Sequence, residues 1–145
     1  MPFAYDHPRP AVTVDCLVHR NKPWGKEILL VKRKHEPYKG RWALPGGFVN
    51  MDETLYEAAV RELGEETGLH LQDLTQFHTF DAVDRDPRHR TITTVFYGET
   101  GDGSDQIMAA SDAGDARWVP LDDLPELAFD HDRIISLALQ RGILR

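Results

Sequence analysis

The stretch from Pro45 to Leu69 constrains this chain more than any other. Pro45-Gly46-Gly47 is a turn whose glycines let the backbone bend tightly and approach a ligand. Helical signals follow at once. Asn50, with Glu53 three residues on, predicts a capping box, and Gly68 after Thr67 predicts the stop. With Glu62 as the zero angle and about 100° per residue, Glu65 falls near 300° and Glu66 near 40°, so three carboxylates share one face. Like charges at that spacing repel, and Arg61 can pair with Glu65 or Glu57 without neutralising them all. A solvated acidic face is the bland reading of such a helix. The sharper one is a divalent cation. Carboxylate oxygens suit hard Mg²⁺ or Mn²⁺, which in turn bind substrate phosphates, and carbonyls of the glycine turn can add further oxygen ligands.

The rest of the chain reads as strands around this unit. Ala11–His19 and Glu27–Arg33 are rich in branched apolar residues, and the four consecutive apolar residues of the second predict a buried central strand. Arg41–Val49 is strand interrupted by the glycine turn, and Leu71–Val83 and Thr91–Gly98 are strands joined by the charged loop Asp84–Arg90. Gly101–Gly114 is a polar loop, Asp115–Val119 a last strand, and a closing helix covers about Asp130 to Leu139. Residues 1–10, with three prolines, read as an extended arm on a single domain spanning 1–145. This pattern predicts an α/β (α+β) fold, with a mixed sheet covered by helices.

Composition narrows the class. Seventeen basic against twenty-four acidic residues give a net charge of −7, a poor prior for general nucleic-acid binding. No apolar run reaches the roughly 20 residues of a membrane span, and the first ten residues lack a signal peptide's apolar core. The one cysteine, Cys16, reads as inert core and suits a reducing cytoplasm. Charge is unevenly spread. Asp52–Glu66 holds six acids and one Arg, whereas Lys26–Arg41 holds six Lys or Arg and two Glu, so an anion site beside a metal site is expected. Arg33 is the candidate phosphate contact, because a guanidinium matches phosphate oxygens bidentately, and alternation would set it opposite Lys32 and Lys34. A solvated strand end is the alternative. Trp42 either stacks on a base or packs in the core.

Gly47, Glu53 and Arg61-Glu62-Leu63-Gly64-Glu65-Glu66-Thr67-Gly68-Leu69, at their observed spacing, resemble a complete Nudix box. A chance match anywhere in such a chain is roughly one in 10⁷ from average composition. The resemblance extends from Ala11 to Leu139 and implies a Nudix-like α/β/α sandwich with a loop-helix catalytic motif. It implies hydrolysis of a nucleoside diphosphate linked to another moiety. Glu62, Glu65 and Glu66 would bind the metal, with the Gly46 carbonyl as a further ligand. Arg61 would orient the glutamates, Glu53 would support the loop-helix, and Gly47 and Gly68 would be conformational. The general base is either one of these glutamates or an acid outside the box, with Glu99, Asp102, Asp105, Asp112 and Asp115 as candidates.

Asp84-Arg85-Asp86-Pro87-Arg88-His89-Arg90 resembles the DRDPR segment of compact ADP-ribose pyrophosphatases, although Pro87 lies eighteen residues past Leu69 rather than the usual sixteen or so. The resemblance implies ADP-ribose as substrate, AMP and ribose 5-phosphate as products, and a role in nucleotide and NAD metabolism. Arg85 and Arg88 become candidate substrate contacts, against the alternative of a solvated hairpin. Two other functions compete. One is a nucleoside-triphosphate cleanser, and the other is a module that senses ADP-ribose without turnover. An intact box, and a chain that leaves no room for a winged helix after Arg145, weigh against the sensor. A homodimer is expected, with the start of the chain, from Pro10 through Val18, offering strand edge for pairing.

Overall fold

The computed structural model describes residues 2–101, 107 and 115–144. Its elements run β1 (Ala11–Lys22), β2 (Gly25–Lys32), β3 (Trp42–Ala43), β4 (Gly46–Phe48), α1 (Leu55–Thr67), β5 (Thr75–Phe80), β6 (Thr91–Thr100), β7 (Ala116–Pro120) and α2 (His131–Gln140). One seven-stranded mixed sheet has the order β3-β2-β1-β6-β5, with β4 paired to β1 and β7 to β2. Its spine is the parallel ladder of β1 on β6, from Ala11 opposite Thr91 to Arg20 opposite Thr100.

Strand alternation sorts the β1 side chains between two cores. Val14, Cys16 and Val18 pack with Ala58, Ala59 and Leu63 of α1. Leu17 packs on the other face with Ile134, Ile135 and Ala138 of α2. The sheet is therefore sandwiched between the two helices, and the α/β/α architecture expected from the sequence is the one observed. Burial of each such Leu or Ile contributes roughly 1.5–3 kcal/mol. Cys16 is fully buried against α1, as expected.

Several boundaries differ from the sequence reading, and three of them, near the site, do so for a local reason. Helix α1 is capped by Thr54, whose side chain accepts from the Glu57 N–H while the Glu57 carboxylate accepts from the Thr54 N–H. The Asn50–Glu53 pair does form (2.9 Å), but it closes the turn before the helix, and Glu53 is committed to Arg61. Gly68 does end the helix, in the left-handed conformation at φ 76°. The strand expected over Leu71–Val83 is confined to Thr75–Phe80, because a turn closed by Leu74 N–H on the Gln72 carbonyl precedes it. Strand β2 ends at Lys32, so strict alternation does not reach Lys34, and Lys32, Arg33 and Lys34 all border the same cavity.

Candidate active site

The loop-helix folds back on β1 at two glycines. Strand β4 pairs with β1, Gly46 opposite Asp15 and Gly47 opposite Val14. A Cβ on Gly46 would sit 2.2 Å from the Val14 carbonyl oxygen and 2.5 Å from the Asp15 carboxylate, and one on Gly47 would sit 2.6 Å from the Glu62 carboxyl carbon. A side chain at Gly46 would force the turn off the sheet, and one at Gly47 would displace the Glu62 carboxylate. The closeness brings Gly46 N–H onto the Glu66 carboxylate at 2.6 Å.

Arg61 gathers the other acids. Its Nε and Nη2 donate to Glu53 (3.0 and 2.6 Å), and its Nη1 donates to both Glu62 and Glu65 (2.9 Å each). Nη2 also reaches the Phe48 carbonyl, tying the helix to the end of β4. Hydrogen bonds from Arg61 hold the Glu53 carboxyl below the usual range. Glu62 moves the other way, because burial outweighs its bond to Arg61. Glu66 moves furthest. Burial pushes it up to about 8; the nearby Glu62 and Asp15 charges add to this, while the Gly46 N–H and Arg33 oppose it.

Asp15 was not singled out in the sequence. It is an acid inside an apolar strand, 7% exposed, placed by alternation on the α2 face of the sheet. Its carboxylate accepts from the Thr93 hydroxyl at 2.7 Å and lies 3.7 Å from His131 Nε2. His131 accepts the Leu44 N–H at Nδ1 (3.0 Å), and burial keeps its pKa low. The ring is therefore neutral with its proton on Nε2, and its contact with Asp15 is dipolar rather than an ion pair.

These elements border a cavity of about 270 Å³. Its lining carries the acids Asp15, Glu66 and Asp86 and the basic residues Lys32, Arg33, Lys34, Arg85 and Arg88. Among the described residues no three His, Cys, Asp or Glu side chains form a ready-made cage; Arg61 bridges Glu53, Glu62 and Glu65, and the Gly46 N–H holds Glu66. The donor set nevertheless fits a hard cation. It consists of oxygens, and burial beside other carboxylates disfavours the charged form of Glu66, which a bound cation would stabilise.

The remaining candidates divide. Arg33 borders the cavity, with Nε bonded to the Pro37 carbonyl at 2.7 Å. Arg88 borders it too, and its Nε and Nη2 grip Asp86 (3.1 and 2.8 Å). Arg85 lies on the wall but spends Nε and Nη2 on Asp130 (3.0 and 2.7 Å), a half-buried partner that the sequence did not disclose. Trp42 packs against the α2-side core, and the phenylalanines on the cavity wall are Phe48 and Phe129. Glu99 accepts from Asn21, and neither it nor Asp115 borders the cavity. Asp102, Asp105 and Asp112 lie outside the described residues.

A mixed sheet between two helices, with a glycine turn feeding a carboxylate-bearing helix against it, defines the Nudix class of fold. The chain belongs to the Nudix family: the NUDIX domain matches residues 9–138. An ADP-ribose pyrophosphatase of Methanocaldococcus jannaschii is 44% identical over 127 residues, covering 88% of this chain and 72% of that protein. An "ADPR responsive transcriptional repressor" of Acinetobacter baylyi is 33% identical over 140 residues, 94% of this chain but only 56% of the repressor. The NUDIX domain of Shewanella oneidensis NrtR, solved with ADP ribose, superimposes with a TM-score of 0.87 at 29% identity, covering 95% of this chain and 94% of that one.

Proposed function

We propose that this chain is a divalent-metal-dependent ADP-ribose pyrophosphatase that releases AMP and ribose 5-phosphate. The observation that carries the reading is a cavity lined both by the acids Asp15 and Glu66 and by the arginines Arg33 and Arg88. Identity of 44% to a protein of that name supports the substrate. Glu62, Glu65, Glu66 and the Gly46 carbonyl would hold the cation, Mg²⁺ with Mn²⁺ as substitute. When bound, such an ion neutralises phosphate charge and lowers the pKa of a coordinated water. The residues themselves do the positioning. Arg61, locked by Glu53, orients Glu62 and Glu65, and Arg33 and Arg88 receive phosphate oxygens. Water adds to one phosphorus, and the anhydride P–O bond to the other breaks. The expected outcome is a higher kcat/KM for ADP-ribose than for any nucleoside triphosphate, with AMP and ribose 5-phosphate identified as products. A better triphosphate substrate would make the chain a nucleotide cleanser instead.

A sensing role is the second reading, favoured by the similarity to the ADPR-responsive repressor. Tight ADP-ribose binding with no product at saturating Mg²⁺ would establish it. We also read residues 1–145 as a single Nudix domain with an N-terminal arm, acting in the cytoplasm without nucleic-acid partners. Among the described residues no helix is long and apolar enough to cross a membrane. A homodimer belongs to the same reading, so light scattering should give about twice 16.5 kDa. A monomer at micromolar concentration would contradict it.

A further inference from the structure

Phe129 adopts a left-handed backbone, φ 52°, immediately before α2. An aromatic residue there costs conformational energy and persists only where surrounding contacts enforce it. The Arg33 guanidinium lies 4.9 Å from the Phe129 ring centroid and that of Arg88 lies 5.8 Å from it. The Tyr38 ring, on a residue also left-handed at φ 63°, meets Phe129 edge-on at 4.9 Å. His131 lies 5.6 Å away. One ring therefore touches the loop after β2, the loop before β6 and the first turn of α2.

We infer that Phe129 is a positioning residue, whose ring holds the Arg33 and Arg88 guanidiniums together as a two-point anion clamp on the cavity wall. The inference rests on the reading that these arginines meet substrate phosphates. Two guanidiniums in one cavity repel, and the Arg88 charge, after burial, helps depress the Arg33 pKa. Asp86 compensates Arg88, whereas among the described residues the Arg33 side chain makes no ion pair and bonds only the Pro37 carbonyl. A carboxylate beside Arg33 would cancel its charge by occupying its N–H donors. The ring attracts the cation through its π face instead, and leaves the Nη donors of Arg33 available for phosphate oxygens.

The test uses inorganic pyrophosphate as probe, titrated calorimetrically in EDTA, beside ADP-ribose kinetics with Mg²⁺. Phe129→Leu should weaken pyrophosphate binding and raise KM by about 10-fold, with kcat within about twofold of wild type. Phe129→Tyr, which keeps the ring, should restore both. In an Arg33→Met background the Leu substitution should add little, because its partner is gone. Wild-type pyrophosphate affinity in Phe129→Leu overturns the inference. So does a Tyr variant as impaired as Leu, an undiminished effect in the Arg33→Met background, or a wild type that binds no pyrophosphate. If pyrophosphate binding follows the expected pattern while ADP-ribose is not hydrolysed, the clamp stands and the proposed activity falls.

Discussion

Glu66→Gln is expected to lower turnover of ADP-ribose by about 10²-fold or more, the cost of losing a charge placed for the transition state. It should do so without unfolding the protein, since the amide oxygen can still accept the Gly46 N–H. In metal-free protein the variant is expected to be the more stable at neutral pH. The sign follows from linkage. A carboxyl raised from 4.5 to about 8 contributes stability that is fully present below its unfolded value and is lost as pH rises through the folded one. Wild-type melting temperature in EDTA should therefore fall between about pH 4.5 and 8, and the glutamine variant should lack that component. Adding Mg²⁺ should raise the melting temperature of the wild type at pH 8 more than that of the variant, because a ligand bound only by the folded state stabilises it. Turnover equal to wild type at saturating Mg²⁺ would remove Glu66 from the machinery.

The acidic half of this site was legible in the sequence because helix periodicity is local. Spacing alone sets Glu62, Glu65 and Glu66 on one face, and Gly46 and Gly47 announce a close approach of backbone to something. What they approach is not local. Asp15 reaches the cavity because β4 pairs antiparallel with one edge of β1, and its hydroxyl partner arrives on β6, 78 residues along the chain. Strand order is not readable from the alternation within AVTVDCLVH. The cap of α1 shows the same limit at short range. Asn50/Glu53 and Thr54/Glu57 are adjacent pairs of equal spacing, both pairs form, and the helix starts at the second, while Glu53 bonds Arg61 as well as the Asn50 N–H. The basic half was legible as charge but not as pairing. Nothing in the loop Asp84–Arg90 says that Asp86 serves Arg88 while Asp130 serves Arg85.

That division sets the last expected result, Arg85→Ala against Arg88→Ala. The Arg85 side chain is 4% exposed and that of Asp130 13%, and the guanidinium meets the carboxylate through two bonds. Cutting Arg85 back leaves Asp130 half-buried and uncompensated, a loss of up to about 3–5 kcal/mol. For a domain of this size that is roughly a 10 °C fall in melting temperature. Asp130→Ala should cost a similar amount, and the Arg85→Met/Asp130→Leu pair should recover much of it, because no buried charge is then left alone. Arg88 is different. Its side chain is 37% exposed, and its partner Asp86, though only 2% exposed, keeps the bond from the Arg88 backbone N–H, so Arg88→Ala should cost less stability than Arg85→Ala and should chiefly weaken ADP-ribose binding by about 10-fold, the worth of one charge-assisted hydrogen bond. Thermal melts and KM values on the same two proteins separate the roles. An Arg85→Ala protein that melts like wild type but shows the raised KM would make Arg85 a substrate contact and reduce its pairing with Asp130 to a resting arrangement.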